Sequence, residues 1–112
     1  MNEDILRTYQ DLLKTIWDRV VPTLGIVSTS TIFKRAISTV EKDHPIMGHL
    51  KVGDTGLSFE EIEKNLGENE GMIRDSFKEL IANLFDILAK LTGKVIVEEL
   101  LKEVEKIEKK AE

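Results

Sequence analysis

Cysteine is absent from this sequence of 112 residues. Its absence excludes disulfide bonds, thiolate zinc sites and cysteine nucleophiles. Histidine is scarce, since only His44 and His49 occur, five positions apart in a segment that resembles a loop. A zinc site needs three or four ligands in a closed geometry, and two loop histidines do not predict one. We therefore expect no metal and no cofactor.

Long apolar runs are also missing, because charged residues interrupt every window of helix length. A membrane-spanning helix needs roughly 20 mostly apolar residues, so we expect no membrane span. The first four residues are acidic in character and do not form a secretory or transit signal, which predicts a cytoplasmic protein. Basic residues are outnumbered, since the chain has 16 Lys and Arg residues and 21 Asp and Glu residues. Nucleic-acid binders present a basic face to phosphates, so we expect no nucleic-acid partner.

The residues that are present have a globular balance. Hydrophobic residues make up 41% and charged residues 33% of the chain. This balance and the length predict a single folded domain over residues 1–112. Lysine and glutamate are abundant whereas glutamine occurs once, at Gln10, a tendency seen in thermophilic proteins.

Apolar residues recur every three or four positions over four long stretches, which predicts amphipathic helices. We expect the helices at about residues 2–21, 28–42, 70–92 and 94–109. Pro22 and Gly25 should end or kink the first helix. The hydroxyls of residues 28–31 should cap the second helix. Gly93 either separates the last two helices or bends a single long one.

The crossover, residues 44–69, has a different pattern. The turn signal Gly53-Asp54-Thr55-Gly56 lies between short fragments that could pair as a two-stranded hairpin. Ser58 and Glu61 fit a capping box, so a short helix should follow and continue through Leu66.

An internal repeat is the most informative feature of the chain. A displacement of 68 residues without gaps aligns the first pair of long helices with the last pair. The aligned positions include Leu12-Leu13 with Leu80-Ile81, Ile16-Trp17-Asp18 with Leu84-Phe85-Asp86, Val20 with Leu88, Gly25 with Gly93, and Ile32-Phe33-Lys34 with Leu100-Leu101-Lys102. One helical hairpin cannot bury its own apolar stripe, but two hairpins can bury theirs together. The sequence therefore predicts an all-α four-helix bundle with pseudo-twofold character, from similar halves at about residues 2–43 and 70–110.

Five apolar residues are candidates for an interface with another chain. Tyr9 and Trp17 share one face of the first helix and would be core or interface anchors. Val104, Ile107 and Ala111 continue a stripe towards the C-terminus, where the helix extends past its counterpart in the first half. This tail either frays or pairs with a second copy as a short coiled coil. We expect pairing, and hence a homodimer.

His44, His49 and Asp54 are candidates for a lid over a ligand. The triplet that begins at Asp54 also occurs in the catalytic turn of aspartic proteases, but a helical chain lacks the β architecture of that fold. The sequence contains no phosphate-binding loop, nucleophile elbow or HExxH motif. We therefore expect that the protein is not an enzyme and has no catalytic residue. An enzyme that uses Asp54 with His44 or His49 is a further hypothesis, ranked below the two given next.

The pattern from Tyr9 to Leu101 resembles a helical module of prokaryotic, especially archaeal, signalling and regulatory proteins. The features that carry the resemblance are Tyr9-x-x-Leu12-Leu13, Gly25, the Gly/Asp turn of the crossover and the helix with its break from Leu80 to Gly93. The resemblance implies a sensory or interaction role. Our leading hypothesis is accordingly a non-enzymatic regulatory or protein-interaction module that acts through helix–helix association. The alternative is a sensor that binds a small apolar ligand between the helical hairpins.

Overall fold

A computed structural model describes residues 2–53, 55–65 and 70–111 of the chain. Helix dominates these residues, which confirms the predicted all-α class. The elements in chain order are α1 (Asn2–Leu24), α2 (Ile26–Val40), a 3₁₀ helix (Pro45–His49), β1 (Lys51–Gly53), β2 (Gly56–Ser58), α3 (Glu60–Lys64), α4 (Glu70–Thr92) and α5 (Lys94–Ala111). Among the described helices, none combines the length and the apolar character that a membrane crossing requires.

The four long helices contribute to one hydrophobic core. Helix α1 contacts α2, α4 and α5, and α4 also contacts α2 and α5. His44, just after α2, contacts Ser76 near the start of α4, whereas Arg35 shares a groove with Asp86 near the end of α4. Helices α2 and α4 therefore run antiparallel. The largest fully buried side chains are Phe33, Phe77, Leu12, Leu13, Ile16, Met47, Ile62, Ile73, Leu80, Leu84, Leu88 and Leu100.

Helix α1 ends at Leu24, with Pro22 inside its last turn. The prediction that the helix ends near residue 21 is therefore wrong. A proline removes one N–H donor, but the turn after it can still close. Here the Gly25 N–H donates to the carbonyl of Val21 at 2.7 Å, so helical hydrogen bonding continues past Pro22. Gly25, and not Pro22, ends the helix.

Helix α2 begins at Ile26 and ends at Val40, two residues earlier at each end than predicted. No side chain caps its start, so the predicted cap by residues 28–31 is wrong. The Thr29 and Thr31 hydroxyls instead donate to the carbonyls four residues before them, at 2.7 and 2.9 Å. Threonine hydroxyls inside helices commonly bond in this way, and the same residue type also favours helix caps.

Gly25 has φ 85° and ψ 164°, in a region that is almost restricted to glycine. A Cβ atom there would meet nothing within 4 Å, so only backbone strain would oppose a side chain.

We expect Gly25→Ala to lower the free energy of unfolding by about 1–3 kcal/mol, measured by urea denaturation. Gly93 has φ 83° and equally open space, so Gly93→Ala should also destabilise the fold. Gly53→Ala is the control, because φ there is not positive and the nearest atom, the Gly56 carbonyl oxygen, would lie 3.7 Å away. An equal loss for Gly53→Ala would contradict the strain argument.

Helices α4 and α5 are separate and contact each other, so Gly93 divides two helices and does not bend one. The observed bounds of α4, Glu70–Thr92, confirm the predicted range. Helix α5 reaches Ala111 and is slightly longer than predicted.

Of the two forms expected for the crossover, a loop or a small β-hairpin, the structure shows the hairpin, with β1 and β2 antiparallel and Val52 opposite Leu57. The expected capping box is wrong, because Ser58 lies in β2 and no side chain caps α3. Helix α3 ends at Lys64, and the predicted end near Leu66 falls outside the described residues. The segment after His44, predicted as a loop, is a 3₁₀ helix with Pro45 in its first turn. Proline suits that position because its fixed φ is helical and its missing donor is not needed there.

Candidate functional site

Tyr9 and Trp17 both lie in the core, with 4% and 6% of their surface exposed. The Tyr9 ring stacks on Phe77, with ring centroids 4.9 Å apart and an angle of 7° between the planes. The Trp17 ring meets Phe33 edge to face at 5.2 Å. Offset and edge-to-face pairs of this kind add to the stability gained by burial. Both side chains therefore pack in the core of their own chain, and an interface role for them stays a prediction.

The C-terminal stripe also packs against its own chain. Val104 is buried, and Ile107 is half-buried against the core. The side chain of Ala111 lies outside the described residues. Nearby, the Arg19 guanidinium and the Glu103 carboxylate form an ion pair at 3.1 Å that joins α1 to α5. Such exposed pairs contribute about 0–1 kcal/mol, so packing holds α5 in place. The predicted coiled coil of this stripe stays a prediction.

His44 fastens the crossover to α4. Its Nδ1 atom lies 3.1 Å from the hydroxyl of the buried Ser76. That hydroxyl donates its single hydrogen to the Met72 carbonyl at 2.7 Å. With the hydroxyl hydrogen directed to Met72, the tautomer of His44 that carries its hydrogen on Nδ1 would donate to Ser76. His49 is half-buried at the end of the 3₁₀ helix, and Asp54 lies outside the described residues. The structure thus shows a structural contact for His44, and the lid role stays a prediction.

A groove of about 330 Å³ lies between α1 and the β-hairpin, and we name it the hairpin groove. Its apolar lining is formed by Trp17, Leu57 and Phe59. Strand β2 packs against α1, and a Cβ atom on Gly56 would lie 3.9 Å from Nε1 and Cε2 of Trp17. The nitrogen-bearing edge of the indole therefore faces the hairpin, at the lining of the groove.

Helix α1 contributes a polar rim to the hairpin groove, formed by Gln10, Asp11, Lys14 and Asp18. Asp11, Lys14 and Asp18 are three or four positions apart at successive steps, so they lie along one face of the helix, and Gln10 is next to Asp11. Two carboxylates and one ammonium give the rim a net negative charge. Within the described chain neither carboxylate takes part in an ion pair.

The Trp17 indole N–H makes no hydrogen bond to any described residue. A buried donor without an acceptor costs about 1–3 kcal/mol, and such donors are rare in folded proteins. The sequence identified Trp17 only as a core or interface anchor. The spacing of the rim residues was visible in the sequence, but it is also the ordinary pattern of a solvent-facing helix.

The described residues contain no group of three or more His, Asp or Glu side chains that could hold a metal ion. Comparison with known proteins finds no match for this chain among protein-family models, curated proteins or solved structures.

Proposed function

We propose that this protein is a non-enzymatic regulatory or interaction module that associates with a second copy of itself through one apolar end of a four-helix bundle. The observation that carries the proposal is the exposure of large apolar side chains around the two glycine turns. Val27 is 81% exposed, Leu91 64% and Ile26 46%. Exposed apolar patches on a folded domain mark interaction surfaces.

Support for the bundle with pseudo-twofold character comes from equivalent residues that meet. Tyr9 and Phe77 are equivalent under the 68-residue displacement, and their rings stack on each other. A twofold axis brings equivalent residues together in this way. The helix contacts agree with this symmetry. The displacement relates α1 to α4 and α2 to α5, and the contact of α2 with α4 has its equivalent in the contact of α5 with α1.

The two glycine turns also correspond in detail. The N–H of Gly25 donates to the Val21 carbonyl, and the N–H of Gly93 donates to the Ala89 carbonyl. Donors and acceptors of these two bonds are related by the same displacement. The φ angles, 85° and 83°, are nearly equal. The turns at Gly25 and Gly93 therefore have the same hydrogen bond and the same backbone conformation, which supports the proposed repeat.

The antiparallel arrangement of α2 and α4 brings the exposed residues to one end. Ile26 and Val27 start α2, and Leu91 lies in the last turn of α4. Because the start of one antiparallel helix lies beside the end of the other, the three side chains share one end of the bundle. Association through this end surface, formed by Ile26, Val27 and Leu91, would remove them from water.

A regulatory role, and not a catalytic one, is supported by the sequence, which contains none of the nucleophile, phosphate-loop or metalloprotease motifs. The resemblance to prokaryotic regulatory modules supports the same proposal. A self-associating module of this kind would change state with its concentration or with a partner that competes for the end surface.

Light scattering coupled to gel filtration tests the proposal. We expect the protein to elute with twice the 12.7 kDa mass of one chain, and Val27→Glu with Leu91→Glu to elute as a folded monomer. Met72→Glu is the matched control, because Met72 is 47% exposed but lies near the start of α4, away from the end surface. A monomeric wild-type chain at high concentration, or a dimer that survives the double substitution, would refute the proposal.

A further inference from the structure

We infer that the hairpin groove binds a small organic cation with a flat apolar body and a hydrogen-bond acceptor. The site lies outside the helical core and does not depend on self-association through the end surface. It also differs from the sensor predicted from the sequence, whose ligand would lie between the hairpins. In that space Tyr9 and Phe77 stack directly on each other.

The acceptor follows from the Trp17 indole. Its N–H has no hydrogen-bond partner among the described residues, although only 6% of Trp17 is exposed. The edge that carries the N–H faces Gly56, which also lines the groove. A carbonyl, hydroxyl or ring-nitrogen acceptor on a bound molecule would satisfy the donor.

The flat apolar body follows from the lining. Leu57 and Phe59 are half-buried, so each keeps one part against the core and another part towards the groove. Small-molecule sites occupy roughly 300–1,000 Å³ and combine apolar walls with a few polar groups. At about 330 Å³ the hairpin groove is at the lower end of that range, which suits a ligand with a single ring.

The acidic rim of the hairpin groove indicates that the ligand carries a positive charge. Asp11 and Asp18 are exposed and outside any ion pair of the described chain, and only Lys14 opposes them. The two carboxylates are seven residues apart, about 10 Å along the helix, so a ligand ammonium can reach either one. Charge-assisted hydrogen bonds to carboxylates are stronger than neutral ones.

Tyramine is a suitable probe because it combines one ring, a phenolic oxygen and an ammonium group. Trp17 is the single tryptophan of the chain, so one indole N–H signal in a proton–nitrogen correlation spectrum reports on the site directly. We expect tyramine to shift this signal saturably, with a Kd of about 1 mM or below. We expect 4-hydroxyphenylacetate, which replaces the ammonium by a carboxylate, to leave it unshifted.

Asp11→Asn combined with Asp18→Asn should weaken tyramine binding about tenfold, the range of a lost charge-assisted contact. Asp75→Asn is the matched control, because this exposed carboxylate of α4 does not line the groove, and it should leave the Kd unchanged. Both substitutions exchange exposed side chains, so the spectra of the variants should show an intact fold. Any of three results overturns the inference: tyramine leaves the indole signal in place, 4-hydroxyphenylacetate shifts it as far as tyramine does, or the double variant binds tyramine with an unchanged Kd.

Discussion

Phe77→Ala is expected to lower the free energy of unfolding by about 3–5 kcal/mol, the range for removal of a buried aromatic ring. Phe77 is 1% exposed and contacts the rings of Tyr9 at 4.9 Å and Phe59 at 6.5 Å. The truncation removes both contacts and opens a cavity where α1, α4 and the crossover meet. Urea denaturation monitored by circular dichroism measures the change.

The matched control is Phe85→Ala, on the same helix. Phe85 is half-buried at the edge of the core, so truncation there removes less contact area and leaves the site open to water. We expect a loss of about 1 kcal/mol, close to the average for single substitutions. Equal losses at the two positions would show that Phe77 does not occupy the centre of the core.

A double-mutant cycle resolves the Tyr9 contact itself. Stacked aromatic pairs contribute about 0.5–1.5 kcal/mol beyond their buried area. We expect Tyr9→Leu and Phe77→Leu to show a coupling of that size, because the two rings are in direct contact. Additive losses would mean that burial alone accounts for both residues.

Met47→Ala is expected to lower the free energy of unfolding by about 2–5 kcal/mol. Met47 is fully buried, and its 3₁₀ helix contacts α2, α3 and α4. The side chain therefore anchors the crossover in the core, and its truncation should loosen the hairpin as well. Amide hydrogen exchange in β1 and β2 should become faster than in α1.

Met72→Ala is the control for this change, since Met72 is 47% exposed on α4. Substitution of a largely exposed side chain usually changes stability by less than about 0.5 kcal/mol. The Met72 carbonyl, which accepts the Ser76 hydrogen bond, is unaffected by a side-chain change. If the two methionine variants lose similar stability, the crossover is not anchored through Met47.

The helical stripes were predictable because helix periodicity is a local property. Leu80, Leu84 and Leu88 are three of the positions that identified α4, and all three are fully buried. Gly93, which follows that helix, was predictable for the same reason, because a helix commonly ends at a position with positive φ and glycine adopts positive φ without steric cost. The turn signal around Gly53 and Gly56 likewise located the turn, but it left a loop and a hairpin as alternatives, and the structure shows the hairpin.

The errors lie where two local roles compete. Thr29 was among the residues predicted to cap α2, but its hydroxyl donates to the Gly25 carbonyl in the preceding turn. Ser58 fitted a capping box, but pairing with Lys51 places it in β2. Pro22 and Gly25 together were expected to end or kink the first helix near residue 21, but it continues to Leu24. In each case the contacts of the folded chain decide between local alternatives of similar free energy.

The sequence by itself determined which residues are helical, which faces are apolar and where glycine is needed, because those properties depend on near neighbours. Only the tertiary structure placed the hairpin against α1 and turned the face from Gln10 to Asp18 into one side of a groove. It also showed that the buried Trp17 has no acceptor for its N–H among the residues that the structure describes. These features join residues that lie about 40 positions apart in the chain, and such pairings follow from packing and not from any local pattern.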